Sequence, residues 1–130
     1  MTTSALSTEL KHEIQEGYSA WLEARQFRAR RGQREMIAHI ARTLTGDARR
    51  IIAIEAGTGT GKTAAYCLAT VPIARARGKT VVISSATVAL QEQVVLRDLP
   101  DLKEHAGLQF DFALAKGRGR YLCLNDWMIG

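Results

Sequence analysis

The sequence predicts an α/β fold, in which a parallel β-sheet is flanked by helices. Two observations lead to this prediction. Apolar segments of strand type alternate with helical patterns, and a glycine-rich loop joins one such strand directly to a helix. The chain has 130 residues, enough for one domain with a modest core. Ligands of such sheets bind beyond the carboxyl ends of the strands, where the glycine-rich loop is expected.

Two helices are predicted before the first strand. Apolar residues recur every fourth position from Leu6 to Leu22, which places them on one face of an amphipathic helix from about Ser7 to Arg25. This helix is expected to form an N-terminal segment of its own, residues 1–26. The second helix is predicted from about Gln33 to Leu44, with Gly46 as its C-terminal cap.

Strands and helices are then predicted to alternate. The first strand is a near-continuous apolar run and the second is rich in β-branched residues, as in parallel strands covered on both faces. A helix from Lys62 to about Arg75 is expected to kink or end early at Pro72, and a helix from Thr87 to about Leu99 is expected to end at Pro100. The three predicted strands are Arg50–Glu55, Thr80–Ser84 and Gln109–Ala115.

The glycine-rich loop has the pattern of a phosphate-binding loop. Its glycines lack a Cβ, so the backbone can curl and point successive N–H groups inward, and the next helix adds its positive dipole end. Lys62 is expected to reach the β- and γ-phosphates, and the Thr63 hydroxyl is expected to ligate Mg²⁺. The sequence therefore predicts a site for a nucleoside triphosphate, formed by Ala56, Gly57, Thr58, Gly59, Thr60, Gly61, Lys62 and Thr63.

The composition excludes some partners and leaves others open. No apolar run approaches the ~20 residues of a membrane span, and the polar N-terminus lacks a signal-peptide core. Two cysteines do not indicate a secreted disulfide framework, so a cytoplasmic protein without a membrane partner is predicted. The net charge of +5 and the basic stretch from Arg25 to Arg34 fit either nucleic-acid contact or a solvated helix end.

Four segments in order resemble the start of superfamily 2 DNA helicases of the XPD/DinG iron–sulfur type. They are FRARRGQREM at 27–36, EAGTGTGKT at 55–63, VISSATVALQEQ at 82–93 and KGRGRYLC at 116–123. The loop opens with Ala56 where the general pattern has glycine, a form that is common in helicases. The resemblance implies a P-loop NTPase (RecA-like) sheet, incomplete in this chain, preceded by the amphipathic helix.

The resemblance implies that the first segment reads adenine and that the third contacts DNA. Gln33 would bond the adenine edge through its amide, which has a donor and an acceptor, and Arg28 would help to hold this region. Ser85 and Thr87 would hold a phosphate of single-stranded DNA. From the residues alone, Gln33 also fits an ordinary first-turn residue, and Thr87 also fits a plain helix cap.

The fourth segment resembles the stretch that introduces an iron–sulfur domain, expected at residues 116–130. The resemblance makes Cys123 the first of four ligands to a [4Fe–4S] cluster, with Arg118 and Arg120 as contacts to nucleic acid. Taken alone, a cysteine beside aromatic residues is more often a packing residue. Cys67 lies in the helix after the loop and is expected in the core.

The function that the resemblance implies is ATP hydrolysis coupled to 5′→3′ translocation on single-stranded DNA by a monomeric motor. Residues 27–115 would be the first part of the motor domain, with Lys62 and Thr63 as its catalytic residues. No Asp-Glu-x-His motif follows the loop, so we expect an N-terminal piece of a larger helicase that is inactive by itself. Two alternatives stay open: a non-catalytic nucleotide-binding fragment and a P-loop ATPase unrelated to DNA.

Overall fold

The computed structural model describes residues 7–57 and 61–117, and this part of the chain is helical. Each helix predicted from the sequence is present, although some of the ends differ. A π-helical stretch, Val94–Asp98, lies between the last two helices. The α-helices are α1 (Thr8–Arg25), α2 (Arg31–Thr45), α3 (Lys62–Ala76), α4 (Val88–Gln93) and α5 (Leu99–His105).

Helix α1 begins and ends with local caps that its sequence supplies. The Ser7 hydroxyl accepts a hydrogen bond from the backbone N–H of Leu10 at 3.1 Å, which satisfies one of the free amides of the first turn. At the other end, Gln26 adopts the left-handed conformation (φ 57°) and its N–H donates to the carbonyl of Glu23. The predicted bounds of this helix are therefore confirmed.

The core forms around α3, which is apolar on all sides. Helices α1 and α2 pack against it, and α5 packs against α1. Ala65, Cys67 and Leu68 of α3 are fully buried, as expected for a helix with apolar residues on every face. The other helices contribute Ile14, Tyr18 and Trp21 from α1, Ile37, Ile40 and Ala41 from α2, and Leu99 and Leu102 from α5.

Pro72 does not end α3 early, so that part of the prediction is wrong. The helix continues to Ala76, and Pro72 is buried within it. A proline removes one backbone hydrogen bond and crowds the preceding turn, at a cost of about 3 kcal/mol. The neighbouring residues Val71 and Ile73 are buried in the core, and burial of such side chains contributes about 1.5–3 kcal/mol each. Packing therefore outweighs the local cost of the proline.

Pro100 does not end the helix that follows Thr87, which corrects the second proline prediction. Pro100 lies in the first turn of α5, where a missing N–H is tolerated. The chain is π-helical immediately before it, over Val94–Asp98. A π-helical stretch changes the hydrogen-bond register, and such a change accommodates the lost N–H and the bulk of the proline ring. Leu90 of α4 is half exposed.

The predicted parallel sheet is not confirmed, because the described residues contain no β-strand. Segments 50–55 and 80–84 have no regular secondary structure, and Ile51 and Val82 are each 86% exposed. Segment 109–115 is also irregular, although Phe110 packs against the core. A parallel strand is stable only when neighbouring strands pair with it and helices cover both of its faces. In this structure the apolar helix faces pack against one another instead.

No helix among residues 7–57 and 61–117 is both long and apolar enough to cross a membrane.

Candidate nucleotide-binding site

A pocket with a volume of about 540 Å³ opens at the N-terminal end of α3. It lies between the end of the phosphate loop, the start of α2 and the C-terminal part of α1. The structure thus brings together residues that the sequence analysis assigned to two separate motifs. The predicted residues in its wall are Arg28, Gln33, Gly61, Lys62 and Thr63.

Gly61 connects the phosphate loop to α3, and only glycine suits this position. Its φ of 77° lies in the left-handed region, where residues with a Cβ are strained. A Cβ at this position would also collide with the side-chain amide of Gln33. The Gly61 carbonyl accepts the first hydrogen bond of the helix from the N–H of Ala65, at 3.1 Å. The glycine therefore permits both the turn of the loop and the close approach of α2.

Gln33 is buried at the start of α2, with 3% of its surface exposed. Its Oε1 accepts a hydrogen bond from the hydroxyl of Tyr18 at 2.8 Å, and its Nε2 donates to the carbonyl of Gly61 at 3.1 Å. A buried amide needs such partners, because an unpaired polar group would lose its hydration. Gln33 thereby links α1, α2 and the phosphate loop, which is more than an ordinary first-turn residue does.

Lys62 and Thr63 form the first turn of α3, next to free backbone N–H groups. The Lys62 side chain is exposed at the pocket, whereas Thr63 is half-buried. Burial raises the pKa of the Tyr66 hydroxyl, and a hydrogen bond with Thr63 acts in the opposite direction. A cation, hydroxyls and unpaired amides at a helix N-terminus are the donors that an anionic phosphate group requires.

Sequence reasoning missed part of the pocket wall, in particular residues from α1 and α5. Trp21 Nε1 and Arg25 Nε both donate to Asp101 Oδ2, at 2.9 and 3.1 Å. The Trp21 ring also meets Phe27 edge-on at 5.6 Å. Trp21 and Arg25 are one helical turn apart, but no pattern in the sequence connects them with Asp101, which is 76 or more residues away. The stretch from Arg25 to Arg34 fits either nucleic-acid contact or a solvated helix end. For Arg25, the structure shows a third role, an ion pair with Asp101.

Asp98 also lines the pocket, and its environment differs from that of Asp101. Burial raises the pKa of the Asp98 carboxyl, while Arg97 and a hydrogen bond with Gln93 partly offset this effect. Asp101 has two cationic or polar donors, so its charge is compensated. The pocket thus has one carboxylate that is paired and one whose ionisation is opposed by its surroundings.

Ser85 and Thr87 are the two predicted DNA contacts that the structure describes, and neither lines the pocket. Thr87 is the N-cap of α4, where its hydroxyl accepts from the N–H of Leu90 at 3.2 Å. The carbonyl of Ser85 accepts from Gln91 Nε2 at 3.1 Å. The plain cap that the sequence left open for Thr87 is therefore present, and contact with a nucleic acid stays a prediction.

Several predicted site residues lie outside the described residues or apart from the pocket. Ala56 is half-buried and Gly57 is exposed, and neither lines the pocket wall. The remaining predicted residues lie outside the part of the chain that the structure describes: Thr58, Gly59, Thr60, Arg118, Arg120 and Cys123.

The donors in the pocket fit a triphosphate better than they fit a metal cluster. Mg²⁺ prefers oxygen ligands and is usually held by protein groups together with the phosphates, so Thr63 would supply one ligand. Within 7–57 and 61–117, no group of three or more His, Cys, Asp or Glu side chains could hold a metal ion. Cys67 does not fit an iron–sulfur cluster, because burial raises its pKa to about 12 and keeps the thiol protonated. The expectation that Cys67 is a core residue is confirmed.

The DEAD/DEAH box helicase family matches residues 30–120. Because this match covers most of the sequence, the chain belongs to the DEAD/DEAH box helicase family. The family implies a RecA-like P-loop fold that uses ATP and Mg²⁺. The described residues contain the end of that loop and its helix, but not the sheet.

Matches to individual proteins indicate a more specific relationship than the family match does. The chain is 47% identical over 124 residues to the ATP-dependent DNA helicase DinG of Escherichia coli K12, and 46% identical over 124 residues to that of Salmonella choleraesuis. It is 42% identical over 122 residues to the DinG helicase of Photobacterium profundum. These alignments cover 91% or 92% of this chain but only 17% or 18% of the relatives. The resemblance to DinG-type helicases is thereby confirmed, for a chain that spans less than a fifth of their length.

Proposed function

We propose that this chain is the ATP-binding part of an ATP-dependent DNA helicase that couples hydrolysis to translocation on single-stranded DNA. The observation that supports this most is the pocket at α3, where the predicted adenine reader Gln33 meets the end of the phosphate loop. Gln33 and Gly61 belong to two separate motifs and lie 28 residues apart in the sequence, yet they are hydrogen-bonded in this pocket. The similarity to ATP-dependent DNA helicases supports the DNA-dependent part of the proposal.

In this proposal, different residues of the pocket contact different parts of the nucleotide. Lys62 neutralises the β- and γ-phosphates, and the Thr63 hydroxyl faces Mg²⁺. Gln33 bonds the adenine edge, and Arg28 adds positive charge at the pocket. The residues of the loop that lie outside the described part, Thr58, Gly59 and Thr60, would complete the cradle.

The test is Lys62→Ala in the full-length protein, assayed for ATP hydrolysis stimulated by single-stranded DNA. We expect turnover to be lost, because the pocket loses the cation that would face the transferred phosphate. Lys79→Ala is the matched control, since Lys79 is exposed after the end of α3 and away from the pocket. Wild-type turnover in the Lys62 variant would contradict the proposal.

The nucleic-acid partner needs a separate test, because a P-loop ATPase unrelated to DNA is an alternative. Binding of single-stranded DNA should weaken steeply with rising salt if phosphate contacts carry it. Replacing Ser85 with alanine should reduce affinity if its position contacts the DNA backbone. A salt-independent interaction, or none, would favour the alternative ATPase.

Other parts of the proposal concern the longer protein. They are 5′→3′ polarity, a monomeric motor, a cytoplasmic location and a [4Fe–4S] cluster with Cys123 as one ligand.

The described residues support a second, narrower candidate for the chain alone, which is nucleotide binding without turnover. The observation that favours it is the missing sheet, since 50–55 and 80–84 are exposed loops. Binding of ATP with no hydrolysis by the 130-residue chain would establish this candidate.

A further inference from the structure

The side-chain amide of Gln33 is held at both ends. Tyr18 Oη donates to Oε1 at 2.8 Å, and Nε2 donates to the carbonyl oxygen of Gly61 at 3.1 Å. Tyr18 and Gln33 are both buried, with 8% and 3% of their surfaces exposed. Tyr18 belongs to α1, which precedes all four of the helicase-like segments, and it does not line the pocket.

These partners permit only one orientation of the amide. A backbone carbonyl can only accept a hydrogen bond, so the NH₂ end of Gln33 must face Gly61. The backbone N–H of Arg30 points to Tyr18 Oη at 3.4 Å, which favours use of the phenolic proton toward Gln33 Oε1. A reversed amide would place Oε1 against the Gly61 carbonyl, with two acceptors facing each other.

A fixed amide can distinguish adenine from guanine. Oε1 has a second lone pair and Nε2 has a second hydrogen, so each end of Gln33 can make one more bond. Adenine presents an amino donor beside the N7 acceptor, whereas guanine presents two acceptors, O6 and N7, along the same edge. The fixed Oε1 would accept from the adenine amino group and repel O6 of guanine. An amide free to rotate could turn its NH₂ toward O6 and reduce this difference.

We propose that Tyr18 is a positioning residue for base selection, and that its hydroxyl keeps the Gln33 amide in the orientation that favours adenine over guanine. The inference rests on the proposed function, in which the base of ATP meets Gln33. Tyr18 acts through Gln33 and does not contact the nucleotide. Loss of its hydroxyl is therefore expected to change the ratio of the affinities for ATP and GTP, and not the binding of the phosphates.

The test is Tyr18→Phe in the 130-residue chain, with the affinities for ATP and GTP measured by calorimetry in the presence of Mg²⁺. We expect the preference for ATP to fall roughly three- to tenfold, the range that one neutral hydrogen bond contributes. Thr45→Val is the matched control, because it also removes a buried hydroxyl, one that bonds the Ala41 carbonyl at 2.7 Å. The control should change stability but leave the ratio of affinities unchanged.

The outcomes separate this inference from the proposed function. If the wild-type chain binds neither nucleotide, the proposed function and this inference both fail. If it prefers ATP and the folded Tyr18→Phe protein keeps the same preference, only the inference is overturned. A fall in preference that also appears in Thr45→Val would indicate a general structural effect and overturn it as well.

A second measurement covers the case in which Tyr18→Phe does not fold. The side-chain NH₂ group of Gln33 can be observed by NMR in the wild-type protein. The protons of a held, buried amide should exchange slowly with solvent. Exchange as fast as that of an exposed glutamine side chain would overturn the inference.

Discussion

Helix α3 and segment 50–55 are both rich in apolar residues and flank the phosphate loop, yet their environments are opposite. Ala65, Cys67 and Leu68 of α3 are fully buried, whereas Ile51 is 86% exposed. A helix satisfies its backbone hydrogen bonds locally, so it needs neighbours only to cover its side chains. A parallel strand depends on other strands for every backbone bond. The same apolar content therefore leads to a core in one region and to exposed loops in the other.

The largest effect should come from truncating the centre of this helical core. Leu68→Ala removes a fully buried side chain of α3 and should lower the free energy of unfolding by about 2–5 kcal/mol. Leu96→Ala is the control, since Leu96 is 71% exposed and surface changes stay within about 0.5 kcal/mol. Urea denaturation followed by circular dichroism measures both. Equal losses in the two variants would mean that α3 is not the centre of the core.

The next effect concerns the junction between the two regions. Gly61→Ala should destabilise the protein by about 1–2 kcal/mol through its left-handed backbone (φ 77°), and further through the collision with the Gln33 amide. Gly78→Ala isolates the backbone contribution, because Gly78 has a similar φ of 62° and open space around it. Thermal melts of both variants provide the comparison. If Gly78→Ala costs as much as Gly61→Ala, the packing of Gln33 on the loop contributes nothing.

A smaller effect is expected at Thr87, where a helix starts directly after an exposed segment. Thr87→Ala removes the hydroxyl that caps the N–H of Leu90 and should cost about 1 kcal/mol. Thr87→Ser keeps a capping hydroxyl and should cost much less. Urea denaturation distinguishes the two. Similar losses in both variants would show that the methyl group, and not the cap, stabilises α4.

These effects also show which features can be predicted from sequence. The helices were predictable because periodicity, Ser7 as a cap and Gly61 as a left-handed junction act within a few residues. The pocket was predictable in part, since the loop and Gln33 carry recognisable patterns. The contact of Trp21 with Asp101 and that of Tyr18 with Gln33 depend on how helices pack, which no local pattern encodes. The strand predictions are not confirmed, and a local pattern cannot decide them, because pairing depends on the neighbouring strands and not on the segment alone.

The smallest effect should be a pH-dependent change at Asp98, in the wall of the pocket. Because burial raises the folded-state pKa above the ordinary value of 3.8, ionisation of Asp98 opposes folding. The stability that the protonated carboxyl contributes is present below pH 3.8 and is lost as the pH rises through the raised pKa. Asp98→Asn should therefore raise the melting temperature slightly at pH 7, with a smaller gain at pH 3. A lower melting temperature at pH 7 would contradict this reasoning.

Amide hydrogen–deuterium exchange of the 130-residue chain, with and without Mg²⁺-ATP, tests the central claim most directly. Without nucleotide, we expect slow exchange in the middle of α3 and fast exchange at 50–55 and 80–84. With Mg²⁺-ATP, added protection should appear at the start of α3 and at the start of α2 around Gln33. Slow exchange at 80–84 in the free chain would contradict the exposed-loop assignment. Unchanged exchange at both helix starts would contradict the nucleotide site.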